Sequence, residues 1–254
     1  MPLTDKVIII TGSTGGIGTA SATLFSREGA RLILVDLEEA KLLDQVNVIG
    51  RERADYVVAD VSTPEGTERY IAAAKDRFGR IDGLFANAGI EGTVTPVSAY
   101  PLETFDRVLA VNVRGVFLGV QYAMRAMAAT GGGSIVITSS VAGLKGSAGL
   151  VGYVTSKHAV VGLMRCAALE GAGSGIRVNT IHPAPIETRM MRALEAGAAP
   201  NSPADAKRGF AAAIPAGRYG TPEEVARLAA FLLSDQSSYC SGGLFPVDGA
   251  MSAR

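Results

Sequence analysis

Short, continuous, β-branched apolar runs recur along this chain with helix-length intervals between them, and that alternation leaves few folds open. Val7 to Ile10 is the first run, bounded by polar residues and then glycines, as expected for a strand buried on both faces of a parallel sheet. Similar runs follow at Leu32 to Val35, Tyr56 to Ala59, Gly83 to Ala86, Ser134 to Thr138, Arg177 to Ile181 and Leu244 to Val247, giving seven expected strands. Helical patterns fill the intervals at Gly16 to Arg27, from Glu38 onward, and at Pro64 to Phe78, Leu102 to Ala129, Gly152 to Gly171 and Pro222 to Leu233. Right-handed strand-helix-strand crossovers then predict an α/β fold, a doubly wound parallel sheet of seven strands with helices on both faces. Ligands of such sheets bind outside the carboxyl ends of the strands.

A chain of 254 residues fits one such domain, so residues 1–254 are read as a single unit. The Gly-, Ala- and Pro-rich stretch from Ala193 to Pro215 interrupts the alternation and reads as a mobile insertion over the site, a candidate substrate lid at 193–215. The 24 basic and 24 acidic residues leave no net charge to attract nucleic acid or an anionic membrane, so neither is expected as a partner. Cys166 and Cys240 lack metal-ligand spacing, and His158 and His182 offer no zinc pair, so no metal is expected. The start, Met1 to Lys6, runs into the first strand without a leader pattern, and no apolar stretch reaches the roughly 18 residues of a membrane span. The expectation is a soluble, cytoplasmic protein.

The chemistry begins at Thr11 to Gly18, which leaves the first strand and opens the first helix. Glycines there permit a tight turn and close approach of backbone to a pyrophosphate, whose charge the helix N-terminus favours. Read alone, the cluster also fits a plain tight connection. Asp36 closes the second strand, with Leu37 beside it, where an acidic side chain accepts hydrogen bonds from ribose hydroxyls. That carboxylate would face the 2′-phosphate of NADP, and two like charges about 4 Å apart repel by roughly 1 to 4 kcal/mol, so NAD is the cofactor expected. Asp36 also fits a strand-end turn, as do Asp60-Val61 and Asn87-Ala88-Gly89, which end the third and fourth strands where adenine and ribose would lie.

Thr11-Gly12-x-x-x-Gly16-Ile17-Gly18, Asp60-Val61, Asn87-Ala88-Gly89, Asn112, Ser140, Tyr153-x-x-x-Lys157 and Pro183-x-x-Ile186-x-Thr188 follow one another in the order and spacing of the short-chain dehydrogenase/reductase family. The chain resembles the compact single-domain form of that family over nearly its whole length. The resemblance implies a seven-stranded Rossmann-type sheet, a nucleotide-binding oxidoreductase and a homotetramer built on the two long helices and the C-terminal segment. It assigns Gly12, Gly16, Ile17, Gly18, Asp36, Leu37, Asp60, Val61, Asn87, Ala88, Gly89, Tyr153, Lys157, Pro183, Ile186 and Thr188 to the cofactor, with Ile186 and Thr188 at the nicotinamide carboxamide.

A phenol titrates near 10, so Tyr153 is a general acid/base at neutral pH only if a positive charge stabilises its phenolate. Lys157 stands one helical turn on and is expected to supply that charge. Tyr153 would then exchange the proton of a secondary alcohol or ketone while hydride passes between carbon and nicotinamide. Ser140 would orient the substrate oxygen. By resemblance, Lys157 also meets the nicotinamide ribose, and Asn112 holds a water that links lysine to solvent.

His182-Pro183-Ala184-Pro185 departs from the family's usual Asn-Pro-Gly, which puts the backbone at Ala184 in question if that position needs positive φ. His182 reads as structural and Glu187 as a solvated loop charge. Leu144, Leu150, Met190 and Met191 would make a pocket for a small alicyclic or aliphatic substrate, while Arg189 and Arg192 face an acidic group or solvent. The alternatives are a 3-oxoacyl carrier-protein reductase, which typically uses NADPH, and a dinucleotide-binding regulator without turnover.

Overall fold

A computed structural model describes residues 2–253. The strands are β1 Val7–Thr11, β2 Arg31–Asp36, β3 Ala54–Val58, β4 Gly83–Ala86, β5 Gly133–Thr138, β6 Ile176–Pro183 and β7 Leu244–Val247. They form one seven-stranded sheet in the order β3-β2-β1-β4-β5-β6-β7, with every neighbouring pair parallel. The order reverses between β1 and β4, which places a crevice at their carboxyl ends. Each expected strand is present, with ends shifted by up to two residues.

Both faces of the sheet are dry, which is why its strands read as continuous apolar runs rather than alternating ones. Val7 and Ile9 point into one core, shared with Tyr70, Val120 and Met164. Ile8 and Ile10 point into the other, shared with Phe25, Leu42, Val225 and Leu233. Helices α3 Pro64–Phe78, α5 Val116–Ala128 and α6 Val151–Gly171 therefore cover one face, and α1 Gly16–Arg27, α2 Glu39–Ile49 and α9 Pro222–Leu233 the other. Two of these helices begin as their sequence dictates. Thr63 Oγ1 accepts from Gly66 N ahead of Pro64, and Thr221 forms a capping box with Glu224 ahead of Pro222.

One expectation is corrected, and a second gains its secondary structure. The helix expected over Leu102 to Ala129 is α4 Leu102–Leu109 and α5 joined by a π-helical turn, Ala110–Gly115, which contains Asn112. The stretch from Ala193 to Pro215, expected as a mobile insertion, is largely helical: α7 Arg189–Ala198 and α8 Pro203–Ala212. Alanine is the strongest helix former and proline is tolerated in a first turn, so this composition supports helix more than it interrupts it. The two helices pack on a small separate core of Val141, Ala184, Met191, Ile214 and Tyr219. Among the described residues, no helix is long and apolar enough to cross a membrane.

Candidate active site

The loop after β1 is built for close backbone approach. Gly12 has φ +66°, and a Cβ there would lie 2.8 Å from Ala88 Cα. A Cβ on Gly16 would lie 2.9 Å from Thr188 Cγ2, and one on Gly18 would strike the Gly12 carbonyl. The loops after β1, β4 and β6 thus meet across glycines. Asn87 ties the first two together: its Nδ2 donates to the carbonyls of Thr11 (3.3 Å) and Gly12 (3.2 Å). Gly15 occupies the N-cap of α1 with no side chain to satisfy the first-turn N–H groups, which leaves them suited to an anion.

Asp36 ends β2 facing this loop. Its Oδ2 accepts from Thr14 N (3.0 Å) and Thr14 Oγ1 (2.7 Å), and its Oδ1 from Leu37 N (2.7 Å). The carboxylate is therefore fixed by the glycine loop itself. The open loop, the helix N-terminus and the fixed acid suit an adenosine ribose and pyrophosphate better than a second phosphate at the ribose. Asp60 is engaged differently: its Oδ1 accepts from Ser62 N (2.8 Å) and Ser62 Oγ (2.7 Å), a local turn, while Val61 packs against Gly115 of the π turn.

Across the crevice, β5, β6 and α6 bring Ser140, Tyr153 and Lys157 together. Ser140 Oγ accepts from Ala142 N (3.1 Å), donates over a long 3.4 Å to the Pro183 carbonyl and lies close enough to Tyr153 to act on its phenol. Lys157 is 4% exposed; its Nζ donates to the Thr138 carbonyl (2.8 Å) and lies 5.4 Å from the Tyr153 ring centre. Gly89 passes beside this ammonium, since a Cβ on it would lie 3.5 Å from Nζ. Asn112 is buried: its Oδ1 accepts from Ile90 N (2.8 Å), and its Nδ2 donates to the Ile90 carbonyl (2.9 Å) and Ser156 Oγ (3.0 Å). Both amide protons are taken by protein groups, so the Asn112 side chain braces the loop after β4.

Burial is the largest electrostatic influence on both Tyr153 and Lys157. Burial pushes the Tyr153 phenol up to about 12, the Ser140 hydrogen bond opposes this in part, and the Glu91 charge adds to it. Burial also pushes Lys157 down to about 8. Loss of hydration, which neither residue type nor spacing reveals, decides the direction for both groups. The Ala184 departure proves harmless to the backbone. Among the described residues only Asp5 and Ala250 are non-glycines with positive φ, and Ala184 N donates to the Val247 carbonyl (3.1 Å).

Residue type alone did not single out three further contributors. Thr14 holds Asp36, Thr138 receives the Lys157 ammonium, and Glu91 sits close enough to raise Tyr153. Glu91 is also paired in two contacts with Arg189, the first residue of α7 (3.0 and 3.3 Å). Arg189 thus faces a carboxylate of the protein. Glu187, expected to be solvated, binds Arg192 (2.7 Å) and Lys207 (2.7 Å).

A doubly wound parallel sheet whose glycine loop and fixed acid face a Ser, Tyr and Lys group defines a dinucleotide-dependent oxidoreductase. A family model described as enoyl-(acyl carrier protein) reductase matches residues 12–252, and the chain belongs to the short-chain dehydrogenase/reductase family. Levodione reductase of Leifsonia aquatica is 41% identical, covering 98% of this chain and 95% of the relative. A crystal structure of levodione reductase superposes with a TM-score of 0.96 at 40% identity over 99% of both chains. Cyclohexanol dehydrogenase of Acinetobacter sp. (strain SE19) is 38% identical, covering 98% of this chain and 96% of the relative. The structure of NAD+-bound xylitol dehydrogenase matches with a TM-score of 0.92 at 33% identity, covering 98% of this chain and all of the other. The chain is an oxidoreductase of the alcohol dehydrogenase and ketone reductase class.

Proposed function

We propose that this enzyme interconverts a small alicyclic ketone and its secondary alcohol with NAD as cofactor, and that Tyr153 carries the proton. The observation that carries the reading is the buried Lys157 ammonium 5.4 Å from the Tyr153 ring with Ser140 beside the phenol, across the crevice from the Asp36 carboxylate held by Thr14. Nicotinamide, when bound, supplies the hydride acceptor or donor. Gly12, Gly16, Gly18 and Asp36 would hold the adenosine half, and Ile186 and Thr188 the nicotinamide half.

The protein's own groups handle the proton. A phenol raised to about 12 is protonated at neutral pH, so Tyr153 stands in its working form as the donor to a forming alkoxide. The long Ser140 Oγ contact to the Pro183 carbonyl is readily exchanged for a substrate oxygen. Lys157, anchored on the Thr138 carbonyl, keeps positive charge beside the phenol and stabilises the phenolate left when Tyr153 gives its proton to the forming alkoxide. Cyclohexanol dehydrogenase is named for a six-membered-ring alcohol, and that supports the alicyclic class here.

Helices α7 and α8, which contain most of 193–215, serve as the substrate cover. The protein is a cytoplasmic homotetramer in this reading. The exposed apolar side chains Phe117 on α5 and Leu169 on α6 support an interface on those two helices.

The test is NADH consumption with cyclohexanone, a cyclic diketone, an acyclic ketone and a 3-oxoacyl thioester, with NADPH in parallel. Fastest turnover is expected on a cyclic ketone with NADH. Fastest turnover on the thioester with NADPH establishes the carrier-protein alternative, and NADH binding without turnover on any substrate establishes a non-catalytic dinucleotide binder.

A further inference from the structure

His182 lies near the end of β6 with its ring wholly buried, at 0% exposure. Its Nδ1 is 2.8 Å from the Ser140 carbonyl oxygen and its Nε2 is 2.8 Å from Thr180 Oγ1. A carbonyl only accepts, so Nδ1 carries the proton and Nε2 accepts from the Thr180 hydroxyl. The same Ser140 carbonyl accepts from Gly143 N at 2.8 Å, so both of its lone pairs are used.

The placement of this contact gives it meaning. The β5-β6 ladder ends with Thr138 opposite Ile181, and Ser139 N makes one more bond to the Ile181 carbonyl (2.9 Å). Ser140 is the last extended residue (φ −173°, ψ 166°) before the turn Val141–Gly143. Its carbonyl therefore lies just beyond the sheet ladder, and the imidazole of the neighbouring strand fixes it from the side. We propose that His182 is a positioning residue: its Nδ1–H clamps the Ser140 carbonyl and so aims Ser140 Oγ at the substrate oxygen. The proposal rests on the reading of Ser140 as the group that orients that oxygen.

The charged surroundings agree with an uncharged ring. Burial lowers the His182 pKa from its ordinary 6.5, with Lys157 and His158 pushing the same way. The Ser140 bond and Asp248 oppose the shift without reversing it.

Asparagine and glutamine separate donor position from bulk. The Nδ2 of asparagine falls where Nδ1 of histidine stands, whereas the glutamine amide reaches the Nε2 end. H182N should keep kcat within about threefold of the parent, and H182Q should lower it about tenfold or more, the scale of a misplaced reacting group. NADH affinity, read by fluorescence, should be unchanged in both. In an S140A background, H182Q should add less than about twofold, because the histidine acts through a side chain already removed.

Equal losses in folded H182N and H182Q, or losses that multiply fully with S140A, overturn the proposal in favour of packing alone. Should H182Q not fold, H182N decides: a folded H182N with kcat as low as S140A overturns it, and near-parent kcat supports it. Parent-like turnover in S140A instead overturns the reading of Ser140, which no result on His182 variants with an impaired S140A would do.

Discussion

Two polar assemblies, one at the carboxyl ends of β5 and β6 and one around α7 and α8, are bonded in contrasting ways. At the ends of β5 and β6, side chains bond backbone: Lys157 to Thr138, Asn112 to Ile90, His182 to Ser140, and Ser139 Oγ to the Lys157 carbonyl (2.9 Å). Around α7 and α8, side chains bond one another. Glu187 joins Arg192 and Lys207, Arg192 joins Glu195 (3.0 Å), and Tyr219 Oη donates to Glu195 (3.0 Å). Backbone anchors give a side chain one place to be, which suits groups that must meet reacting atoms within tenths of an ångström. Pairs between flexible side chains are re-formed easily in a new arrangement, which suits a segment that admits and releases substrate. The first assembly should therefore answer mutation in rate, and the second in binding and in small changes of stability.

The sharpest break is Tyr153→Phe, which removes the proton carrier and nothing that holds the fold. Turnover should fall about 10²- to 10⁴-fold, with NADH affinity unchanged by fluorescence titration. Retained turnover would take the backbone-anchored side out of the chemistry.

Asn112→Ala comes next. It leaves the partly buried N–H and carbonyl of Ile90 without their side-chain partner, at a cost of about 1–3 kcal/mol in chemical denaturation. A loss under about 0.5 kcal/mol would show that the loop after β4 is held by other means.

Lys157 tests the same side through pH. Its folded pKa of about 8 lies below the unfolded value near 10.4, so the folded state gives up the proton first. The buried charge costs stability at every pH below about 8, and that cost is relieved as pH rises from there toward 10.4. Lys157→Met should flatten the stability curve over this window relative to the parent. An unchanged slope would assign the titration to another group.

The smallest effect belongs to the assembly around α7 and α8. Lys207→Ala removes the partner of a half-exposed Glu187 and should cost under about 1 kcal/mol, while the KM for the ketone moves more than kcat. A kcat loss as large as that of Tyr153→Phe would erase the contrast between the two assemblies.

The two sides also differ in how far the amino-acid sequence reveals them. The starts of α1, α3 and α9 are set by local chemistry, such as Thr63 before Pro64 and Thr221 before Pro222, so they are legible residue by residue. Ser140, Tyr153 and Lys157 were identified by type, spacing and family resemblance. Their charge states were not, because burial arises from elements far away in the chain. His182 reads as structural, and only the fold brings it to Ser140, 42 positions earlier. The π turn at Ala110–Gly115 carries no composition that distinguishes it from regular helix. Arg189 and Glu91 lie 98 positions apart, and the Ala- and Gly-rich stretch after them hides two helices.

The strand order carries a consequence for the chain as it leaves the ribosome. Strands β1 to β4 are neighbours in space and are complete by Ala86, so the whole nucleotide-facing half of the sheet is present before Ser140 has been added. Ser140 and Lys157 follow, and the histidine that clamps Ser140 arrives last, on β6. A nascent chain stalled before Ile176 carries the glycine loop, the phenol and the lysine, yet lacks the strand proposed to aim the serine and the loop after it that reaches Gly16. Synthesis thus delivers the reactive groups first and their alignment afterwards.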